Sequence, residues 1–129
     1  MTAPIFFISH FRIREGQLDA LKRLTTDSTE HLRAQKPRTV LFLSYVDEDH
    51  SVISFLHAFE DADAMDLHFE GSDERSRAAL EFIEPIGWEF YGSPSAAALE
   101  TMRQTAASSG ATLAVQPDYL AGFLRLAPG

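Results

Sequence analysis

Residues 5–13, Ile-Phe-Phe-Ile-Ser-His-Phe-Arg-Ile, run in two alternating sets. The odd set, Ile5, Phe7, Ser9, Phe11 and Ile13, is nearly all apolar, and the even set ends in His10 and Arg12. A period of two in a run rich in β-formers predicts a strand with one dry face and one mixed face. After Gly16 the period changes. Leu18, Leu21, Leu24, Ser28 and Leu32 recur at three- and four-residue steps, which predicts an amphipathic helix over 17–36, stopped by Pro37. Two further strands, Thr39 to Val46 and Ser51 to Phe59, are joined by Asp47-Glu48-Asp49-His50 as a hairpin. Asp61 is placed to cap a second helix, because its carboxylate can accept from the free amides of the first turn. Ala62, Met65 and Phe69 lie on one side of that helix. Gly71-Ser72 interrupts it, Arg75 to Glu84 continues as a helical stretch ended by Pro85, and Ile86 to Tyr91 reads as a fourth strand.

The order β-α-β-β-α-β places this chain in the α+β class with a ferredoxin-like antiparallel sheet. In that arrangement the first and third strands are neighbours, and the helices cover one face. The other face is bare. On the third strand Ile53, Phe55, His57 and Phe59 share one side and Val52, Ser54, Leu56 and Ala58 the other, so both sides are more apolar than a solvated face should be. Two copies packed sheet to sheet would bury the second side, and a homodimer is expected. Residues 1–92 hold this domain. Residues 93–129 add a helix capped by Ser93 with Pro94 in its first position, ended by Ser108-Ser109-Gly110, and then extended segments. Tyr119, Leu120, Phe123, Leu124 and Leu126 are too apolar for a loose tail, so residues 112–126 are expected to pack on the sheet or to reach across to the partner.

Composition narrows the function. A net charge of −8 without a basic face argues against a nucleic-acid partner. With no cysteine, thiol catalysis, thiolate metal sites and disulfides are excluded. No stretch approaches the roughly 20 apolar residues of a membrane helix. The first residues lack the features of a secretory leader, so a cytoplasmic location without a membrane partner is expected. The chain has no glycine-rich phosphate loop, no GxSxG and no HExxH.

His57 carries the most chemistry. It titrates near neutrality in an ordinary setting, and Phe55 and Phe59 on the same side of the strand would desolvate it and keep it neutral. That makes it a candidate catalytic base, or else a hydrogen-bonded histidine in a dimer core. His10, on the adjacent strand, is expected near His57. Two imidazoles alone fall short of the three or four ligands of a divalent site, so no metal is expected. His68 falls on the predicted second helix, seven residues after its cap, where it suits helix-to-sheet packing. Tyr45, Trp88 and Tyr91 combine aromatic bulk with a polar handle, suited to a pocket wall or to an interface.

The stretch Arg14-Glu15-Gly16 at the first helix, with Phe59-Glu60-Asp61-Ala62-Asp63-Ala64 and His68 seven residues after Asp61, resembles the antibiotic biosynthesis monooxygenase family of dimeric α/β barrels. The family pattern is an acidic residue, an aromatic two positions on, Asp or Ser two further, then Ala and His. Phe59, Asp61, Ala64 and His68 meet it, and His57 stands where the acidic residue usually sits. The resemblance covers about residues 3–92. It implies a dimer that oxidises aromatic or quinol-like molecules with molecular oxygen and needs no flavin, metal or other cofactor. The substrate-lining Asn, Trp and Tyr of that family fall by position on Phe55, Phe59 and Met65, so none of the three hydrogen-bonding groups is kept. Haem-degrading relatives carry an axial His on the later helix, and residues 75–84 contain none. The resulting expectation is a cofactor-independent monooxygenase with His57 as base and a pocket drawn from His10, Tyr45, Phe55, Phe59, Met65, His68 and Trp88. The alternative is a homodimeric module that binds a hydrophobic small molecule without turnover.

Overall fold

The alternation in residues 5–13 becomes β1 (Ile5–Ile13), whose odd-numbered residues are the buried ones apart from the half-buried Phe11. The computed structural model describes residues 3–125. Helix α1 (Leu18–Gln35) buries Leu21 and Leu32, and its last turn closes with the Lys36 amide donating to the Leu32 carbonyl at 2.8 Å. Pro37 cannot continue that helix. Strands β2 (Thr39–Asp47) and β3 (Val52–Phe59) form the expected hairpin. Asp61 caps α2 (Ala62–Phe69) by accepting from the Ala64 amide at 2.8 Å.

The next segment differs from expectation. Helix α3 is short (Ser72–Ala79), and β4 begins at Ile83 and runs to Tyr91, so Glu84 and Pro85 belong to the strand and do not end a helix. The sheet tolerates the proline because the register slips there. Phe11 faces Pro85 and His10 faces Gly87, which leaves Ile86 unopposed in a bulge, one of the settings in which sheets accept proline.

Strands β2, β3, β1 and β4 are antiparallel neighbours in that order, with β1 between β3 and β4. The C-terminal addition enlarges this sheet. Helix α4 (Ala96–Ser109) is capped by Ser95, whose hydroxyl accepts from the Ala98 amide at 3.1 Å, so the helix starts two residues later than Ser93-Pro94 suggests. Gly110 ends it in the left-handed conformation, φ 71°. Strand β5 (Thr112–Gln116) then returns parallel to β4, as a strand reached through a helical crossover can, and makes the sheet mixed. Residues 117–125 form no regular structure and leave Leu120 94% and Phe123 82% exposed. They do not pack on the sheet of their own protomer, and Leu126 lies outside the described residues.

All four helices sit on the odd face of β1. Ile5, Phe7, Phe59, Trp88 and Phe90 pack with Ala64 and Met65 of α2 and Ala98 and Ala106 of α4. Ile13, Ile53 and Ile83 pack with Leu21 of α1 and with Ala79 of α3. On the opposite face Leu43 and Tyr45 are 40% and 60% exposed. Among the described residues no helix is long and apolar enough to cross a membrane.

Gly87 marks where β5 meets the original sheet. A Cβ there would collide with the Thr112 side chain and stand 3.2 Å from the Thr112 carbonyl oxygen. Gly87→Ala should therefore cost about 1–3 kcal/mol in urea denaturation, with part recovered by adding Thr112→Ala. No loss of stability would mean that β5 is not seated against β4.

Candidate functional site

The helices do not fill the space above the sheet. Between them and the odd face lies a cavity of about 340 Å³. Its floor is aromatic, with Phe7 and Phe11 from β1, Phe42 from β2, Phe55 from β3 and Trp88 from β4. Phe42 and Phe55 stack with centroids 5.9 Å apart, and Phe11 meets Trp88 edge-on at 6.1 Å. Its roof draws on Leu24, Thr25 and Ser28 of α1, Arg75 and Ser76 of α3, and Thr101, Met102 and Thr105 of α4. Ser76, Thr101 and Thr105 are exposed, so the rim reaches solvent.

His57 lies in the floor. The β1–β3 register seats it opposite Phe7, and its Nδ1 lies 3.1 Å from the Phe7 carbonyl oxygen. A carbonyl only accepts, so Nδ1 carries the proton and Nε2 keeps the lone pair. Nε2 has no protein partner among the described residues, yet it is not one of their sealed, unsatisfied polar atoms. The cavity is the space left open to it. Phe7 and Phe42 flank the ring at 5.2 and 5.0 Å. Burial pushes the imidazole down to about 4, and the nearby Arg75 charge pushes the same way, against the opposing pull of the Phe7 carbonyl.

His68, from α2, stands edge-on to His57 with ring centroids 5.0 Å apart. Its Nδ1 and the Thr39 hydroxyl are 2.7 Å apart. Burial again dominates, followed by the charges of His57, Arg75 and Lys36, and its pKa falls to about 3. The cavity thus holds two neutral imidazoles in contact, one with a defined acceptor nitrogen.

Of the residues the sequence singles out, Phe55, His57, His68 and Trp88 line this cavity. Phe59 and Met65 are fully buried behind it, and the Phe59 ring is 5.2 Å from that of His68. His10 and Tyr45 are elsewhere. Both pair with Ser54 and so lie on the opposite face from His57. His10 approaches Ser54 Oγ at 2.7 Å and Glu89 Oε2 at 2.5 Å, and Tyr91 donates to the other Glu89 oxygen at 2.6 Å. The expected neighbourhood of His10 and His57 therefore fails, because side chains alternate along each strand and the pairing of His10 with Ser54 puts it on the face of the even-numbered β3 residues. The cavity lies within the single chain, between its sheet and its helices. Among the described residues no three His, Cys, Asp or Glu side chains converge as metal ligands.

Sequence reasoning passed over Phe7, Ser9, Phe42 and Arg75. The first three follow from register, since Phe7 and Phe42 both oppose His57. Arg75 carries no such signal, being one charge among several on a polar helix.

The buried imidazoles set a pH dependence. In the unfolded chain both protonate near 6.5, but in the folded chain they resist protonation down to about 4 and about 3. The unfolded state then binds more protons below about pH 6.5, so stability is full above that value and falls as pH drops, by up to about 1.4 kcal/mol per pH unit for each histidine. Urea midpoints taken from about pH 7 to pH 5 should show this, and His57→Phe combined with His68→Phe should flatten it. An unchanged slope in the double variant would assign the effect to other groups.

No known sequence-family profile matches the chain, and no curated protein matches it by sequence. Solved structures do match its fold. MupZ from Pseudomonas fluorescens is 15% identical with a TM-score of 0.69, over 95% of this chain and 91% of its own. A Caulobacter crescentus protein named provisionally as an antibiotic biosynthesis monooxygenase is 15% identical with a TM-score of 0.58, over 69% of this chain and 88% of its own. Rv0793 from Mycobacterium tuberculosis is 18% identical with a TM-score of 0.58, over 72% and 97%. The near-complete cover by MupZ requires counterparts of α4 and β5, whereas the shorter neighbours span about as much as residues 1–92. The chain has the α+β, ferredoxin-like fold of proteins named as antibiotic biosynthesis monooxygenases.

Proposed function

We propose that this protein is a homodimeric, cofactor-independent monooxygenase of the antibiotic biosynthesis monooxygenase type, acting on an aromatic or quinol-like small molecule in the cavity. One observation carries the reading. The open Nε2 of His57, fixed as an acceptor by the Phe7 carbonyl, stands in the aromatic floor of a cavity large enough for a ring system. A flat substrate stacks on Phe42, Phe55 and Trp88. Nε2 takes a proton from a carbon or oxygen acidified by the ring, leaving an electron-rich anion. That electron pair passes to molecular oxygen and a carbon–oxygen bond forms. The proton returns to give a hydroperoxide, which loses water to leave a carbonyl. A methylene and one O2 thus become a carbonyl and one water, with no other reductant.

A binding module without turnover is the second reading. Burial that lowers His57 to about 4 also makes it a weak base, far from the operating pH at which general bases work best. An oxygen electrode separates the two. With an anthrone or naphthohydroquinone the protein should consume oxygen, and His57→Phe should slow consumption about a hundredfold or more. Ligand binding without oxygen uptake would leave the binding module standing.

The dimer has its own support. The bare sheet face exposes Leu43 and Tyr45, and the last described segment exposes Tyr119, Leu120, Phe123 and Leu124, apolar side chains that a partner surface would bury. A second copy covers both, the sheet faces packing together and residues 117–125 crossing to the partner. Light scattering should return twice 14.4 kDa, and a truncation after Gly92 should be insoluble or monomeric. A full-length protein that scatters as a monomer, or a soluble truncated dimer, would refute this arrangement.

A further inference from the structure

Among the described residues Arg75 is a cation without a counterion. It extends from α3 across the break between α2 and α3, where Nη2 donates to the His68 carbonyl at 2.7 Å and Nη1 to the Glu70 carbonyl at 3.1 Å. These bonds hold the guanidinium half-buried at the edge of the cavity. They use two of its five N–H donors. Among the described residues no carboxylate forms an ion pair with it. Asp61 is taken by Arg38, and Asp66 accepts from the Ser95 hydroxyl. Asp73, the one carboxylate that lines the cavity, is exposed and makes no ion pair either.

Capping the end of α2 would explain the two carbonyl bonds. It does not explain why the remaining charge is left facing the cavity, in a chain with nineteen carboxylates to eleven cations. A desolvated cation is expensive unless something neutralises it. The charge also bears on both histidines, since Arg75 adds to what keeps His57 and His68 neutral. An anion bound beside it would relieve all three groups at once.

We propose that Arg75 is the anion-recognition residue of this cavity and that the natural ligand is a hydrophobic molecule bearing a carboxylate. A single guanidinium with donors to spare matches the planar, two-oxygen face of a carboxylate. A phosphate, with up to two negative charges, would call for more positive charge than one arginine supplies. The apolar body of the ligand lies on Phe42, Phe55 and Trp88, so its carboxylate and its reacting end are at different places in the cavity. This rests on the reading of the cavity as the substrate site and adds the class of molecule that fits it.

The chain has one tryptophan, Trp88, and it lines the cavity, so its fluorescence reports occupancy. The probes are 4-phenylbutanoate and its uncharged counterpart 4-phenylbutanamide. The acid should quench Trp88 with an affinity about tenfold tighter than the amide, Arg75→Gln should abolish that preference, and Arg75→Lys should keep part of it. Equal affinities in the native protein, or a preference that survives in a folded Arg75→Gln variant, overturn the proposal and leave the cavity intact as a binding site. No quenching by either probe overturns the cavity reading and the proposal together. A measurement on the native protein covers the case in which Arg75→Gln does not fold. Modification of Arg75 by phenylglyoxal, followed by mass spectrometry, should be blocked by the acid and not by the amide. Equal protection by both, or by neither, counts against the proposal.

Discussion

A slip of one residue in the pairing of β1 with β3 would turn every side chain of one strand to the other face of the sheet. The observed register sets Phe7 against His57, Ser9 against Phe55 and Phe11 against Ile53. It sends the apolar set of both strands beneath the helices, and it brings the Phe7 carbonyl within reach of His57 Nδ1. The tautomer of His57, the direction of its free nitrogen and the aromatic floor around it all depend on this one pairing. So does the fate of His10, which the same register commits to the opposite face.

The cavity exists because the roof is built from several short or loosely apposed pieces. Helix α2 ends at Phe69, α3 is only 8 residues long, and both leave polar side chains over the floor. A fully packed core would place aliphatic side chains there and bury them against Phe42 and Phe55. Instead two imidazoles and a guanidinium share a low-dielectric space. Burial makes all three costlier to charge, and the Arg75 charge makes both imidazoles harder still to protonate; polar groups gathered at such cost are characteristic of binding and catalytic sites. The imidazoles escape by staying neutral. Arg75 cannot lose its charge and instead lies half-buried on two backbone carbonyls.

The two faces of the sheet follow different rules. The covered face is closed by α1–α4 and holds the cavity. The bare face carries Leu43, Tyr45, Leu56 and the polar chain Ser54–His10–Glu89–Tyr91. That chain satisfies the hydrogen-bonding groups of its members within the sheet itself, so the face can meet another apolar surface without stranding them. Strand β5 extends the sheet on the far side of β4 and leaves the face on that side broader than four strands alone would make it.

The local sequence determines the order of the elements up to β3, the cap at Asp61 and the antiparallel pairing of the β2–β3 hairpin. These depend on local rules: alternation for strands, three- and four-residue spacing for helices, and side-chain oxygens that satisfy free amides. The start of β4 is not legible in this way, because Pro85 reads as a helix stop, whereas the strand carries it beside a bulge opposite β1. The extension was legible as a helix and an extended segment, but its parallel place beside β4 depends on a non-local contact at Gly87. Four of the eight residues singled out for a site line the cavity: Phe55, His57 and Trp88 on the face that register turns inward, and His68 from α2 above it. His10 and Tyr45 have the right chemistry and the wrong parity. Arg75 has no local mark at all. Which charges stand alone, and which imidazoles lose their water, is decided only when distant segments close around one space, because desolvation and the lack of a counterion are properties of that space and not of the residue.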